Sequence, residues 1–232
     1  MKKRLAYLLV ICLMLMTVSC THNTVSSDET LTESQISSLR KDYPVRPLTG
    51  NPNEFRTIFP MDYLLANTLD DWVQVRCLRK VQDIHTYSNG AASYGDENIA
   101  AAEQKAGAEF ITQNDYDCYE MEVVQSFYGD LKPGDTFRFM AHYLDRQCYP
   151  DFMNGETWIL GISHPFHSAL TDQADRFWGS PSETFYVVPQ DYVLSVADHA
   201  YREEFSGISL KEWGERMRQL AETVQQNGAK PL

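Results

Sequence analysis

Alternation of apolar and polar side chains through the middle of the chain constrains its fold most strongly. From Trp72 to Ile84, apolar and polar residues alternate at most positions. The apolar set is Val73, Val75, Cys77 and Val81, and the polar set is Gln74, Arg76 and Lys80. Because successive side chains of a strand point to opposite faces, this pattern predicts a long strand with one buried face.

Apolar and polar residues also alternate over 119–127 and 137–143, and the segments 157–162 and 184–188 are predicted as further strands. Residues 129–135 read Gly-Asp-Leu-Lys-Pro-Gly-Asp, a dense turn signal between the first two of these segments. The sequence therefore predicts a hairpin there and five strands in all. The connection 86–117 is too long for a hairpin loop, and residues 98–105 within it favour a short exposed helix.

Helical signals occur at both ends of this β-rich region. Apolar residues at helical spacing after Pro60 predict one or two helical turns. Near the C-terminus, Ser209 and Glu212 form a capping box. Apolar residues then follow at helical spacing: Trp213, Met217, Leu220 and Val224. This pattern predicts a closing C-terminal helix.

Three short phrases carry a resemblance to a known fold group. They are Tyr128-Gly129, Pro133-Gly134-Asp135 and Gly155-Glu156-Thr157-Trp158. The chain resembles the OB-like, netrin-module-like β-barrels of many uncharacterised secreted bacterial proteins, although Tyr-Gly stands where that group has Lys-Gly. The resemblance implies a mainly β (α+β) domain over residues 59–228, a five-stranded OB-like barrel with a C-terminal helix. These motifs are turns and strand starts, so they specify fold rather than chemistry.

The N-terminus has the pattern of a secretory signal. Lys2, Lys3 and Arg4 precede an apolar run of about a dozen residues, which is shorter than the roughly 20 needed to span a bilayer. Residues 17–20, Thr-Val-Ser-Cys, resemble the lipobox of bacterial lipoproteins, except that Thr17 replaces the usual Leu. We expect a signal peptide over 1–19, a lipid such as palmitate on Cys20 and a flexible linker over 20–58. Cleavage without lipidation is the alternative.

The charge balance limits the classes of partner. The chain has 20 Lys and Arg against 32 Asp and Glu, a net charge of −12. Such an acidic surface repels phosphate backbones, so nucleic acid is not an expected partner. Basic partners, cations or simple solubility remain as interpretations.

Cysteine usage leaves one question open. After Cys20 the chain has Cys77, Cys118 and Cys148, an odd number, so at most one intramolecular disulfide can form among them. Cys77 lies on the apolar face of the alternating segment 72–84, so we expect it to be a small buried hydrophobic residue. Cys118 and Cys148 are the better pair, but the sequence does not decide whether they are joined.

Two groups of residues are candidate sites. His164 and His167 are followed by Asp172 and Asp175, a set that could hold a divalent metal, although Pro165 prevents a regular helix from aligning the two imidazoles. The aromatic residues Phe166, Phe177 and Trp178 flank a loop and are candidate ligand-binding residues. Closing one end of the barrel is the alternative role for these rings.

No complete catalytic constellation is present in the sequence. There is no Gly-x-Ser-x-Gly and no glycine-rich phosphate loop. We therefore expect a non-catalytic lipoprotein without a cofactor, anchored to the outer face of the cell membrane in a bacterial envelope. It would act as a binding or accessory domain for an extracellular protein or glycan. The alternative is a metal-dependent enzyme that uses the His164/His167 loop.

Overall fold

The computed structural model describes residues 30–48, 57–81, 84–88, 93–94, 101, 105, 107, 112–163 and 176–227. The predicted signal peptide, Cys20 and the loop 164–175 lie outside these ranges. Most of the predicted helix at 98–105 also lies outside, but Ala101 and Lys105 are helical and exposed.

The described elements are short helices at both ends and eight strands between them. The helices are α1 (Glu33–Leu39), α2 (Met61–Asn67), α3 (Ala200–Glu203) and α4 (Leu210–Asn227), with a 3-10 helix at Tyr143–Cys148. The strands are β1 (Asp71–Lys80), β2 (Ile84–Ser88), β3 (Ser93–Tyr94), β4 (Thr112–Tyr128), β5 (Thr136–His142), β6 (Thr157–Ser163), β7 (Arg176–Val188) and β8 (Tyr192–Ser195). The mainly β class with accompanying helices is confirmed.

The sheet closes on itself because β1 has a partner on each side. Val75 of β1 lies opposite Val123 of β4 and opposite Trp158 of β6. The ring continues from β6 to β7, from β7 to β5 and from β5 back to β4. The β5–β7 pair is parallel and the other ring pairs are antiparallel. β2 and β3 extend β4 beyond the ring, and β8 pairs with β7.

The strand boundaries differ from the predicted ones mainly in four places. The strand predicted over 72–84 ends at Lys80, and Ile84 begins β2 instead. β4 begins at Thr112 because its polar first half pairs with β2, so part of the predicted long connection is strand. β7 begins at Arg176, eight residues before the predicted 184, because its first half pairs with β5. β8 follows from a tight turn at Gln190 and Asp191, both of which have positive φ, and no pattern had indicated it.

Two apolar cores lie on the two sides of the ring wall. Inside the ring, side chains from all five ring strands pack together, among them Val73, Met121, Phe139, Leu160 and Tyr186. Outside it, α2 and α4 cover a second cluster. Trp72 and Trp213 form its centre with ring centroids 5.6 Å apart, and both are fully buried.

The C-terminal helix begins as its capping box predicts. The hydroxyl of Ser209 accepts a hydrogen bond from the backbone amide of Glu212 at 3.2 Å. Gly214 lies one turn further, and a Cβ there would stand 3.0 Å from the ring of Phe127. The glycine therefore lets α4 pack closely against β4.

Part of the predicted linker 20–58 packs on the body. Within residues 30–48, Arg40 donates to the backbone oxygen of Ser195 at 2.6 Å, and Leu31 donates to Gly207 at 2.8 Å. Tyr43 is 9% exposed and belongs to the core inside the ring. This stretch is a packed part of the domain rather than a free tether.

Two further findings concern the described residues alone. None of their helices is both long and apolar enough to cross a membrane. The thiols of Cys77, Cys118 and Cys148 form no disulfide, and the latter two are buried. Cys77, expected to be buried, is only partly so.

Candidate functional site

A ladder of ion pairs crosses the outer face of the ring from β1 to β4. Arg76 donates to Glu122 at 2.6 Å, and Arg79 donates to Glu120 at 2.5 Å. The pairing depends on an irregularity in β1, where the register shifts between Cys77 and Arg79. The shift places Arg79 opposite Glu120, and both carboxylates lie on the same side of β4.

The ladder continues at the end of β1 around one buried carboxylate. Asp117 accepts from Lys80 at 2.6 Å and from two nitrogens of Arg146, one of them at 2.6 Å. Burial alone would raise the pKa of the Asp117 carboxyl, but the hydrogen bonds from Arg146 and Lys80 outweigh it and hold this pKa below its ordinary value. The carboxylate therefore stays ionised and orients both cations.

In every pair of this ladder, the cation is the more exposed partner. The side chains of Arg76 and Arg79 are 53% and 64% exposed, against 28% and 30% for their glutamates. Lys80 and Arg146 are 42% and 62% exposed, whereas Asp117 is 2% exposed. Lys80 and Asp117 lie on the opposite face of the two strands from Arg79 and Glu120, because Lys80 pairs with Tyr119, which packs against the core inside the ring. On the outer face, Arg76 and Arg79 are each paired with a glutamate, so these two pairs are neutral together.

Trp178 lies on the same wall of the ring. It pairs with Met140 of β5 and with Ser163 of β6, and it is 41% exposed. Arg138, two residues before Met140, lies opposite Glu120 of the ladder. Trp178 therefore lies on the outer side of the ring, on a strand separated from β1 by β6.

The predicted aromatic site is only partly described. Phe177 is 4% exposed and packs edge-on against Phe137 with centroids 5.2 Å apart, so it belongs to the core inside the ring. Trp178 keeps an exposed ring, whereas Phe166 lies outside the described residues. The structure therefore separates the two described members, one inward and one outward.

The weaker metal candidates, His164 and His167, also lie outside the described residues. Within the described ranges, no group of three or more His, Cys, Asp and Glu side chains is arranged to hold a metal ion. The metal-dependent alternative thus gains no support from the described part of the chain.

A groove lies between α4 and the β7–β8 turn. It has a volume of about 380 Å³ and is lined by charged groups of both signs, including Asp191, Lys211, Glu215 and Arg218. These charges balance, so the groove has no preference for an anion or a cation.

The most deeply buried charged cluster is structural. Arg202 is fully buried and donates to the backbone oxygens of Ser182 at 2.6 Å and Phe59 at 3.0 Å. Its other neighbour is Glu183, at 3.5 Å. Because solvent does not reach this guanidinium, it ties α3 to β7 rather than contacting a ligand.

Sequence reasoning missed the ladder of ion pairs because the sequence does not show which strands are neighbours. A local signal was present: Arg76, Arg79 and Lys80 lie within one predicted strand, and Glu120 and Glu122 alternate on another. That the two strands are neighbours follows only from ring closure.

Comparison with known proteins found no relative of the chain. No family model, no curated protein and no solved structure matches the chain.

Proposed function

We propose that this chain is a non-catalytic binding domain, lipid-anchored through Cys20 at the outer face of a bacterial cell membrane. Its ligand is a glycan that lies across the outer surface of β4 and β5. The domain presents that surface away from the membrane, at the end of a tether formed by the residues before α1.

The ring order supports an OB-like barrel as the finer fold. In chain order β1, β4, β5, β6 and β7 are strands one to five, and the pairing around the ring runs one, two, three, five, four and back to one. Strands three and five are the parallel pair. OB-folds bind oligosaccharides and oligonucleotides on the face of strands two and three and on the loops beside it. In this chain that face is formed by β4 and β5.

The observation that carries the proposal is the exposed ring of Trp178 on the outer side of β7, next to β5. A sugar ring presents both an apolar face and hydroxyl groups. An exposed indole provides a flat apolar surface for the first, and the arginines and glutamates provide donors and acceptors for the second. Trp178 is 41% exposed although its strand neighbours Phe177 and Met140 are buried.

The test is equilibrium binding of the body, residues 30–232, to a neutral polysaccharide (dextran) and an acidic one (polygalacturonate). We expect Trp178→Ala to weaken binding roughly tenfold, a loss of about 1.4 kcal/mol. Tyr201→Ala is the matched control, because Tyr201 is an equally exposed aromatic residue, 44%, on α3. Absence of binding to both polysaccharides, or equal losses in the two variants, would overturn the glycan proposal.

Lipid anchoring has a separate test. The full chain, expressed in a bacterium, is expected to fractionate with membranes and to incorporate labelled palmitate. Cys20→Ala is expected to remove the label. A labelled Cys20→Ala variant, or an unlabelled parent chain that is cleaved and released, would contradict the anchor.

A further inference from the structure

Two sulfur atoms meet at one end of the ring. The thiol of Cys77 on β1 donates to the thioether of Met153, with the two sulfurs 3.6 Å apart. Cys77 is partly buried and Met153 is 50% exposed, so solvent reaches this contact. Metal–sulfur bonds are about 2.3 Å long, so one ion can contact both sulfurs at an angle of roughly 100° without moving them apart.

The register of β1 and β6 brings Met153 to Cys77. Arg76 lies opposite Thr157, the first residue of β6, so Cys77 lies beside the turn that precedes this strand. Phe152, which is 1% exposed, anchors that turn in the core inside the ring. The fold therefore fixes the position of Met153 beside the thiol.

A third sulfur lies on the other side of Cys77. Met121 of β4 is the cross-strand partner of Cys77, and it belongs to the apolar cluster against which Cys77 packs. Residues directly opposite each other in neighbouring strands have Cβ atoms about 5 Å apart. Methionine has three rotatable side-chain bonds, so a rotamer change can bring the thioether of Met121 towards the thiol.

The chemistry of these sulfurs selects the ion. Thiolate and thioether groups are soft ligands that favour Cu⁺, whereas Zn²⁺ is held by Cys, His and carboxylate groups. Among the described residues, no three His, Cys, Asp and Glu side chains come together to hold an ion. We therefore propose that Cys77, Met153 and Met121 bind Cu⁺, which displaces the thiol proton into solvent. The site is independent of the proposed glycan surface, since Cys77 packs inside the ring and Trp178 is exposed on its outer side.

The experiment measures how strongly the full chain, purified anaerobically in detergent, holds Cu⁺ against bathocuproine disulfonate, a chelator that competes for this ion. Every sample carries Cys12→Ala and Cys20→Ala, because these N-terminal thiols would otherwise bind the metal. We expect the chain to retain one equivalent of Cu⁺. Cys77→Ser, Met153→Leu and Met121→Leu are each expected to weaken binding by at least roughly tenfold, since a change outside the ligand shell of a metal already costs about that much.

Met140→Leu is the matched control, because Met140 also lies opposite a cysteine, Cys118, but the two are buried, at 3% and 0% exposure. This variant is expected to hold Cu⁺ as the parent does. No retained ion, an equal loss in Met140→Leu, or unchanged binding by Cys77→Ser or Met153→Leu would overturn the site, and unchanged binding by Met121→Leu would overturn the third ligand. X-ray absorption at the copper edge should show sulfur neighbours at about 2.3 Å, and nitrogen or oxygen neighbours alone would overturn the ligand assignment. Circular dichroism of each variant shows that its fold is retained.

Discussion

Gly129 lies against the carboxylate of Asp71, with no room between them for a side chain. A Cβ on Gly129 would stand 2.5 Å from Asp71 Cγ and closer still to Oδ1, and φ at Gly129 is +96°. Asp71 Oδ1 in turn accepts the backbone amide of Leu131 at 2.9 Å. The carboxylate therefore holds the turn that leads from β4 to β5, and the glycine makes this contact possible.

We expect Gly129→Ala to lower the free energy of unfolding by about 3 kcal/mol, because alanine is strained at this positive φ and its Cβ would clash with Asp71. Urea denaturation measures the loss. Gly155→Ala is the control, since φ at Gly155 is +86° with nothing within 4 Å of the added Cβ. It is expected to cost about 1 kcal/mol. Equal losses in both variants would show that the contact with Asp71 is unimportant.

The pH dependence of stability should separate Asp71 from other carboxylates. Burial raises the pKa of Asp71, and the neighbouring charges of Asp70 and Asp130 add to this, while hydrogen bonds from the Leu131 and Asp130 amides oppose it. The folded chain thus holds the proton to a higher pH than the unfolded chain, where the pKa is about 3.9. Protonated Asp71 therefore stabilises the folded chain below the pKa of the unfolded state. This stabilisation is lost as pH rises through the pKa of Asp71 in the folded state.

Asp71→Asn keeps an oxygen for the Leu131 amide but cannot ionise. Relative to the parent chain, we expect this variant to gain stability between about pH 4 and pH 7, as seen in urea midpoints at the two values. A constant difference between variant and parent across this range would refute the raised pKa.

The contribution of Asp117 to stability should depend on pH in the opposite direction. Burial opposes ionisation, but Arg146 and Lys80 hold the pKa of Asp117 below its ordinary value. Its contribution is therefore present above the unfolded pKa and is lost as pH falls through the folded pKa. Asp117→Asn should be less stable than the parent at pH 7, and the two should converge as pH falls below about 4. The same denaturation series checks this, and a gap that stays constant down to about pH 2 would argue against it.

Alternation predicts the strands that bury one face, such as the second half of β4, whereas β6 and most of β7 are buried on both faces. The hairpin of β4 and β5 is the clearest case: turn residues 129–135 were predicted, and Tyr119 lies opposite Phe139 as a hairpin requires. β8 escaped prediction because Tyr192, Val193 and Leu194 are all buried, so no alternation marks it. A short strand buried on both faces has no periodic signal of its own.

The site could not be read from the sequence for a related reason. Simple alternation puts Arg76, Leu78 and Lys80 on one face of β1, but the register shift after Cys77 places Arg79 opposite Glu120 instead. A β-bulge depends on how two strands meet, and that is decided by long-range closure of the ring. Of the predicted ligand-binding aromatic residues that the structure describes, Trp178 is exposed and Phe177 is buried.

Arg202 should be the most sensitive charged position in the described part of the chain. Arg202→Ala would leave Glu183 buried without its cation and the backbone oxygens of Ser182 and Phe59 without a donor. We expect a loss of about 3–5 kcal/mol in the free energy of unfolding, measured by chemical denaturation. Arg216→Ala, which breaks an exposed pair, should cost less than about 1 kcal/mol. Similar values for the two would mean that the Arg202 cluster is not a structural tie.

Tyr43 tests whether the segment before α2 belongs to the folded domain. Its ring packs against Tyr186 with centroids 5.5 Å apart, and its hydroxyl donates to Glu156 at 3.0 Å. Burial and the hydrogen bond to Glu156 raise the pKa of Tyr43 to about 12, so the hydroxyl remains a donor at neutral pH.

We expect Tyr43→Ala to lower the free energy of unfolding by about 3 kcal/mol through the lost aromatic packing, and Tyr43→Phe by about 1 kcal/mol through the lost hydrogen bond. Val45→Ala is the control, because Val45 lies two residues away but is 41% exposed. If Tyr43→Ala costs no more than Val45→Ala, the segment is a tether in solution. The larger loss would place the start of the domain near Leu31 rather than at the predicted residue 59.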